Sequence, residues 1–177
     1  MIAGAHSNIG KTHLAEKLLR VLPDWSALKV TVSHQGRGPK KDKCPRNKGC
    51  CACTSFEGDF DVVTDRRIIN QKGKDTARLK RAGARKVVWL RSTSKGLKKG
   101  LNESFRELKD SEGLVIEGNS VLKHLKPDIT IYIKGRAHPL KRSAEAALKK
   151  ADIIIDSNPD KIISRSSRQS NQYEKSR

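Results

Sequence analysis

Aromatic residues are scarce in this 177-residue chain, at 4% of its composition. So few rings argue against a dedicated stacking platform for single-stranded nucleic acid. They also require a core built from Ile, Val, Leu and Ala, which suits a buried sheet flanked by helices. No run of about 18 apolar residues occurs, which excludes a transmembrane helix. No charged-then-apolar leader opens the chain, so no secretory signal is expected. Cysteine is absent outside residues 44–53. That cluster is too tight for a disulfide framework spread over a secreted domain, and a reducing, cytoplasmic setting is expected. Acidic residues are in deficit: 19 Asp+Glu against 38 Lys+Arg give a formal net charge of +19.

The charge is uneven. Residues 66–109 hold 15 Lys/Arg and 3 Asp/Glu, an excess of +12. Such a stretch would attract nucleic acid, nucleotides or other polyanions, or simply form a solvated surface. No zinc finger with His ligands, leucine zipper or RNP aromatic motif accompanies it.

The length fits one domain with a short tail. Residues 10–22 read as a helix, because Ala15, Leu18, Leu19 and Leu22 recur on one face of a period of about 3.6 residues. Further helices are expected over 74–82, 97–108 and 141–150. Strands are expected at 1–3, 28–33, 60–64, 86–90, 114–116, 129–133 and 152–155. The first strand is short, which leaves an upstream start open. Strands alternating with helices imply βαβ units and a mostly parallel sheet of about seven strands in a three-layer α/β sandwich. Residues 35–59, rich in Gly, Pro, Lys and Cys, read as a long loop after the second strand, of the kind that carries function or is disordered. The domain is expected to span 1–156, and the polar residues 157–177 to form a disordered tail. No internal repeat is present.

The strongest motif is Gly4-Ala5-His6-Ser7-Asn8-Ile9-Gly10-Lys11-Thr12. It follows a strand and opens a helix, the context in which a glycine loop wraps backbone N–H groups around phosphate oxygens. The helix N-terminus adds partial positive charge. Lys11 is placed to reach the β- and γ-phosphates, and the Thr12 hydroxyl to bind Mg²⁺. The spacing is Gly-x5-Gly-Lys-Thr, one residue longer than the common form. A glycine turn beside a helix cap would explain Gly10 and Thr12, but not Lys11 and the strand–loop–helix context together.

This lengthened loop resembles those of dethiobiotin synthetase and cobyrinic acid a,c-diamide synthase. His34, Gly73-Lys74-Asp75-Thr76, Ala82-Gly83-Ala84 and Leu114-Val115-Ile116-Glu117-Gly118 follow further along. In order and rough spacing they resemble the molybdopterin-guanine dinucleotide biosynthesis protein B family, over about residues 1–135. The resemblance implies a P-loop NTPase, often dimeric, that binds GTP and assists a partner enzyme in attaching a guanine nucleotide to the molybdenum cofactor. ATP remains the alternative nucleotide, since no guanine-reading motif is apparent after a late strand.

Acidic residues at strand ends are candidate Mg²⁺ ligands. Glu117 ends an apolar strand before a glycine, a favourable place at the carboxyl edge of a parallel sheet. Asp65 closes its strand in the same way. Resemblance to the dethiobiotin synthetase-like enzymes implies that Asp65 and Glu117 are the metal-side acids, with Thr12. Asp75 reads either as a helix cap or as a site residue. His34 reads either as a phosphate or substrate contact or as a structural histidine.

Cys44, Cys50, Cys51 and Cys53, with Lys43, Arg46 and Lys48 beside them, match no established spacing. Four thiolates would hold Zn²⁺ or an iron–sulfur cluster. Buried small hydrophobes or redox-active thiols are the alternatives. Three functions follow: an NTPase of cofactor biosynthesis, an NTPase that handles a metal or cluster through the Cys loop, and a basic nucleic-acid-associated protein.

Overall fold

A computed structural model describes residues 1–33, 56–135 and 139–156. His34, the four cysteines and the tail at 157–177 lie outside the described residues. Seven strands form one sheet: β1 (Ile2–Gly4), β2 (Ser26–Ser33), β3 (Phe60–Val63), β4 (Val87–Thr93), β5 (Leu114–Glu117), β6 (Ile131–Lys134) and β7 (Ile153–Asp156). Their order is β3-β4-β2-β5-β1-β6-β7. Six run parallel, and β3 runs antiparallel to β4 at the edge. Among the described residues no helix is long and apolar enough to cross a membrane.

Helices cover both faces. On one lie α1 (Lys11–Val21), α2 (Arg66–Ile69) and α3 (Asp75–Arg81). Ala15, Leu19, Ile69 and Leu79 pack there against Ile2, Ala27, Val87, Trp89, Val115 and Ile133. The other face carries α4 (Leu97–Glu107), a 3-10 turn (Asn119–Lys123) and α5 (Arg142–Lys149). Leu97, Leu101 and Val121 pack there on Leu28, Val30, Val88, Leu90 and Ile116, and Ala147 packs beside Ala3 and Tyr132. The period of two along each strand sends alternate side chains to the two layers. Strands covered on both sides therefore carry apolar residues at successive positions, as Val87, Val88, Trp89 and Leu90 do.

Several details depart from expectation. Helix α1 stops at Val21, one residue before Leu22, because the proline at 23 disfavours helical backbone in the residue before it. Helix α2 was not expected, since four residues are too few to show a period. Its start is set by Asp65, whose carboxylate accepts the Arg67 N–H at 2.8 Å. β3 is antiparallel for a topological reason. Phe60 pairs with Ser92 near the carboxyl end of β4, so β3 starts at that edge and runs back along β4. Its end therefore reaches the amino edge of the sheet, with Val63 opposite Trp89.

Candidate functional site

β1 is only three residues long and is buried between β5 and β6. After Gly4 the chain loops through residues 5–10 into α1. A Cβ at Gly4 would lie 2.7 Å from Ile9 Cγ2 and 3.3 Å from the Ile133 carbonyl, so glycine lets the loop fold closely over the strand ends. Asn8 and Gly10 adopt left-handed backbone, with φ of 64° and 101°. Ala5 N–H donates to Ile133 O at 3.0 Å, and Ile9 packs on the core, which pins the loop at both ends. Gly10 caps α1 without a side-chain bond, and no acidic residue stands in the first turn. The positive end of the helix dipole and its first N–H groups are thus left for another acceptor.

Asn119 holds the base of this loop. β5 leaves the sheet at Gly118, which has φ 147°, and a Cβ there would come within 2.9 Å of the Val30 carbonyl. Beyond that point β1 has no strand neighbour on the β5 side. The Asn119 side chain replaces one: its Oδ1 accepts Gly4 N–H at 3.0 Å and its Nδ2 donates to Gly4 O at 2.8 Å. The carboxamide acts as the peptide that the ladder lacks.

Beneath the loop, a chain of polar groups joins α1, β5, β2 and α3. Thr12 Oγ1 donates to Glu117 Oε2 at 2.9 Å. Lys29 Nζ donates to Glu117 Oε1 at 3.1 Å and to Asp75 Oδ2 at 2.6 Å. Arg78 on α3 pairs with Glu16 on α1 at 2.6 Å. Lys11 Nζ donates to the His6 carbonyl at 2.8 Å, closing the loop on itself. Burial pulls the Lys11 ammonium below its ordinary pKa, against the opposing pull of Glu117. For Lys29, burial is the largest single influence and lowers the pKa, but Glu117 and Asp75 together outweigh it and the net shift is upward. The hydrogen bond from Arg78 is the main reason that the Glu16 carboxyl lies below its ordinary range.

These groups open into a cavity of about 800 Å³. Its walls include His6, Ser7, Asn8, Gly10, Lys11, Thr12, Asp75 and Glu117, all expected at the site, while Gly4 and Ile9, also expected there, pack against each other outside the walls. Asp75 is not the cap of α3. Lys74 holds that position, and the Asp75 carboxylate turns to Lys29. Asp65 does not belong to this site. The antiparallel course of β3 carries it to the opposite edge of the sheet, where it caps α2 and pairs with Arg67 at 3.1 Å. Lys29, Thr31, Trp89, Arg78 and Asn119 were not anticipated, and all five line the cavity. The one signal for Lys29 was a charge inside the apolar strand Leu28-Lys29-Val30. Trp89 Nε1 donates to Thr31 Oγ1 at 3.0 Å, which fixes the ring on the cavity wall.

Thr12 and Glu117 offer hard oxygen donors 2.9 Å apart at a buried strand end. This small set fits Mg²⁺, which keeps several waters and is completed by phosphate oxygens. The basic stretch 66–109 is divided between the two helical layers, with α2 and α3 on one and α4 on the other. Within it Arg67, Arg78, Lys86, Arg91 and Arg106 each pair with a carboxylate. Compared with known protein families, with curated proteins and with solved structures, the chain shows no match.

Proposed function

We propose that this chain is a P-loop NTPase that binds a nucleoside triphosphate with Mg²⁺ in the cavity and hydrolyses it slowly. One observation carries the reading. A glycine loop leads into an uncapped helix whose first turn presents Lys11 and Thr12, with the buried Glu117 carboxylate 2.9 Å from the Thr12 hydroxyl. Loop N–H groups and the helix N-terminus receive phosphate oxygens. Lys11 exchanges the His6 carbonyl for the β- and γ-phosphates, an easier exchange because that carbonyl is a neutral acceptor. Thr12 and Glu117 hold the metal. Bound Mg²⁺ neutralises charge on the phosphates. In hydrolysis a water oxygen bonds to the γ-phosphorus and gives up its proton to solvent, and the bridging oxygen leaves with its electron pair on the diphosphate. The Lys11 ammonium offsets the charge that develops there.

The narrower reading is GTP, in molybdenum-cofactor biosynthesis or a related pathway. It rests on the resemblance of Gly73-Lys74-Asp75-Thr76 and Glu117-Gly118, and these residues all line the same cavity.

The test is calorimetric titration of GTP and ATP, each with Mg²⁺, into the wild type and Lys11→Ala. The wild type is expected to bind, and the variant to lose about 10- to 100-fold in affinity, the worth of one charge-assisted hydrogen bond. Absence of wild-type binding, with the fold intact by circular dichroism, would overturn the proposal. The preferred base decides between GTP and ATP.

A further inference from the structure

Lys29 lies within a strand and points its ammonium between two carboxylates contributed by two other elements. Its side chain is 16% exposed, and it bonds Asp75 on α3 and Glu117 on β5 together. Glu117 is also the acceptor of the Thr12 hydroxyl, so the cation is one bond away from the group read above as the metal ligand. Resting on that reading, we infer that Lys29 is the resident counter-ion of the metal-side carboxylate. It keeps a free divalent cation out of the site, so that metal enters only as its nucleotide complex.

The charges facing this point come from β5, α3, β2 and α1: the carboxylates of Glu117 and Asp75, the ammoniums of Lys29 and Lys11, and the Arg78 guanidinium, which is itself paired with Glu16. Counting Glu16, three negative and three positive groups cancel. A lone divalent cation arriving at Glu117 meets two ammoniums at close range and one carboxylate oxygen already committed to Lys29. A triphosphate brings several negative charges of its own, so the same cation arriving with it finds a net attraction. Lys11 turns to the phosphates, while Lys29 stays on Asp75 and Glu117 Oε1 and leaves Oε2 and Thr12 for the metal. A purely structural ion pair would predict only that losing Lys29 destabilises the fold. A counter-ion predicts in addition that losing its charge creates metal affinity where there was little.

The experiment is Mn²⁺ titration of the nucleotide-free full-length chain, followed by electron paramagnetic resonance of the free ion. Wild type, Lys29→Met, Lys29→Gln and the double variant Lys29→Met/Glu117→Gln are compared. Lys29→Gln keeps a polar partner for the carboxylates and guards against misfolding of the methionine variant. Each single variant is expected to bind one Mn²⁺ roughly 10- to 100-fold more tightly than wild type, the effect of removing one unit charge at close range. The added Glu117→Gln change should abolish that gain. Mn²⁺ should also raise the melting temperature of the single variants and leave that of wild type unchanged. Wild-type binding as tight as the variants', folded variants that gain no Mn²⁺, or a gain that survives Glu117→Gln would each overturn the inference. No nucleotide is present, so failure of the NTPase reading shows only in the calorimetry and stays distinguishable.

Discussion

Replacing Asn119 by alanine should unseat the loop without touching its sequence. The substitution removes two hydrogen bonds, 3.0 and 2.8 Å long, to the N–H and C=O of Gly4. Gly4 is buried between strands, so water cannot readily take over both groups. Two lost bonds and two buried, unpaired backbone groups amount to about 2–4 kcal/mol. In a chain of this size that is a fall in melting temperature of roughly 5–15 °C. Urea unfolding followed by Trp25 and Trp89 fluorescence reads it directly. The midpoint should fall with an unchanged slope, because the buried surface is nearly the same. Lys123→Ala, at the exposed end of the same 3-10 turn, is the control and should stay within about 0.5 kcal/mol. Nucleotide affinity should fall with Asn119→Ala, since the loop that presents its N–H groups would lose its anchor. An Asn119→Ala midpoint equal to that of Lys123→Ala would refute the view that this side chain substitutes for a strand.

Two further outcomes are expected. Tyr132 is fully buried, burial pushes its hydroxyl pKa upward, and the hydroxyl has no hydrogen-bond partner among the described residues. Tyr132→Phe should therefore leave stability unchanged or raise it by about 1 kcal/mol in urea unfolding, whereas a loss above about 1 kcal/mol would reveal a partner. The Glu16–Arg78 pair links α1 to α3, and its hydrogen bond depresses the Glu16 pKa. A depressed carboxyl pKa means stability that is present above the ordinary value of 4.5 and is lost as pH falls through the folded-state value. The stability gap between wild type and Glu16→Gln should thus be full at neutral pH and close in acid. A gap of equal size at pH 3 and pH 7, about one pH unit or more either side of an ordinary glutamate, would refute the pairing.

What was legible in the sequence is what short-range rules encode. Ala15 and Leu19 marked the buried face of α1 because helical period and burial coincide there, and the alternation of strands with helices implied a sheet covered on both sides. Glu117 before Gly118 marked a strand end at the carboxyl edge, and the structure places that carboxylate on Thr12. By itself, then, the sequence determined the elements other than the short α2, their layering and the loop that opens α1. Only the tertiary structure decided the direction of β3, because a strand's local pattern is the same whichever way its neighbour runs. That one reversal sent Asp65 to the far edge and left Glu117 as the acid beside Thr12. Lys29 and Asp75 are 46 positions apart, and Gly4 and Asn119 are 115 apart. Their meeting depends on the order in which strands take their places in the sheet. Strand order follows from packing and loop closure across the whole chain, and no window of neighbouring residues carries it.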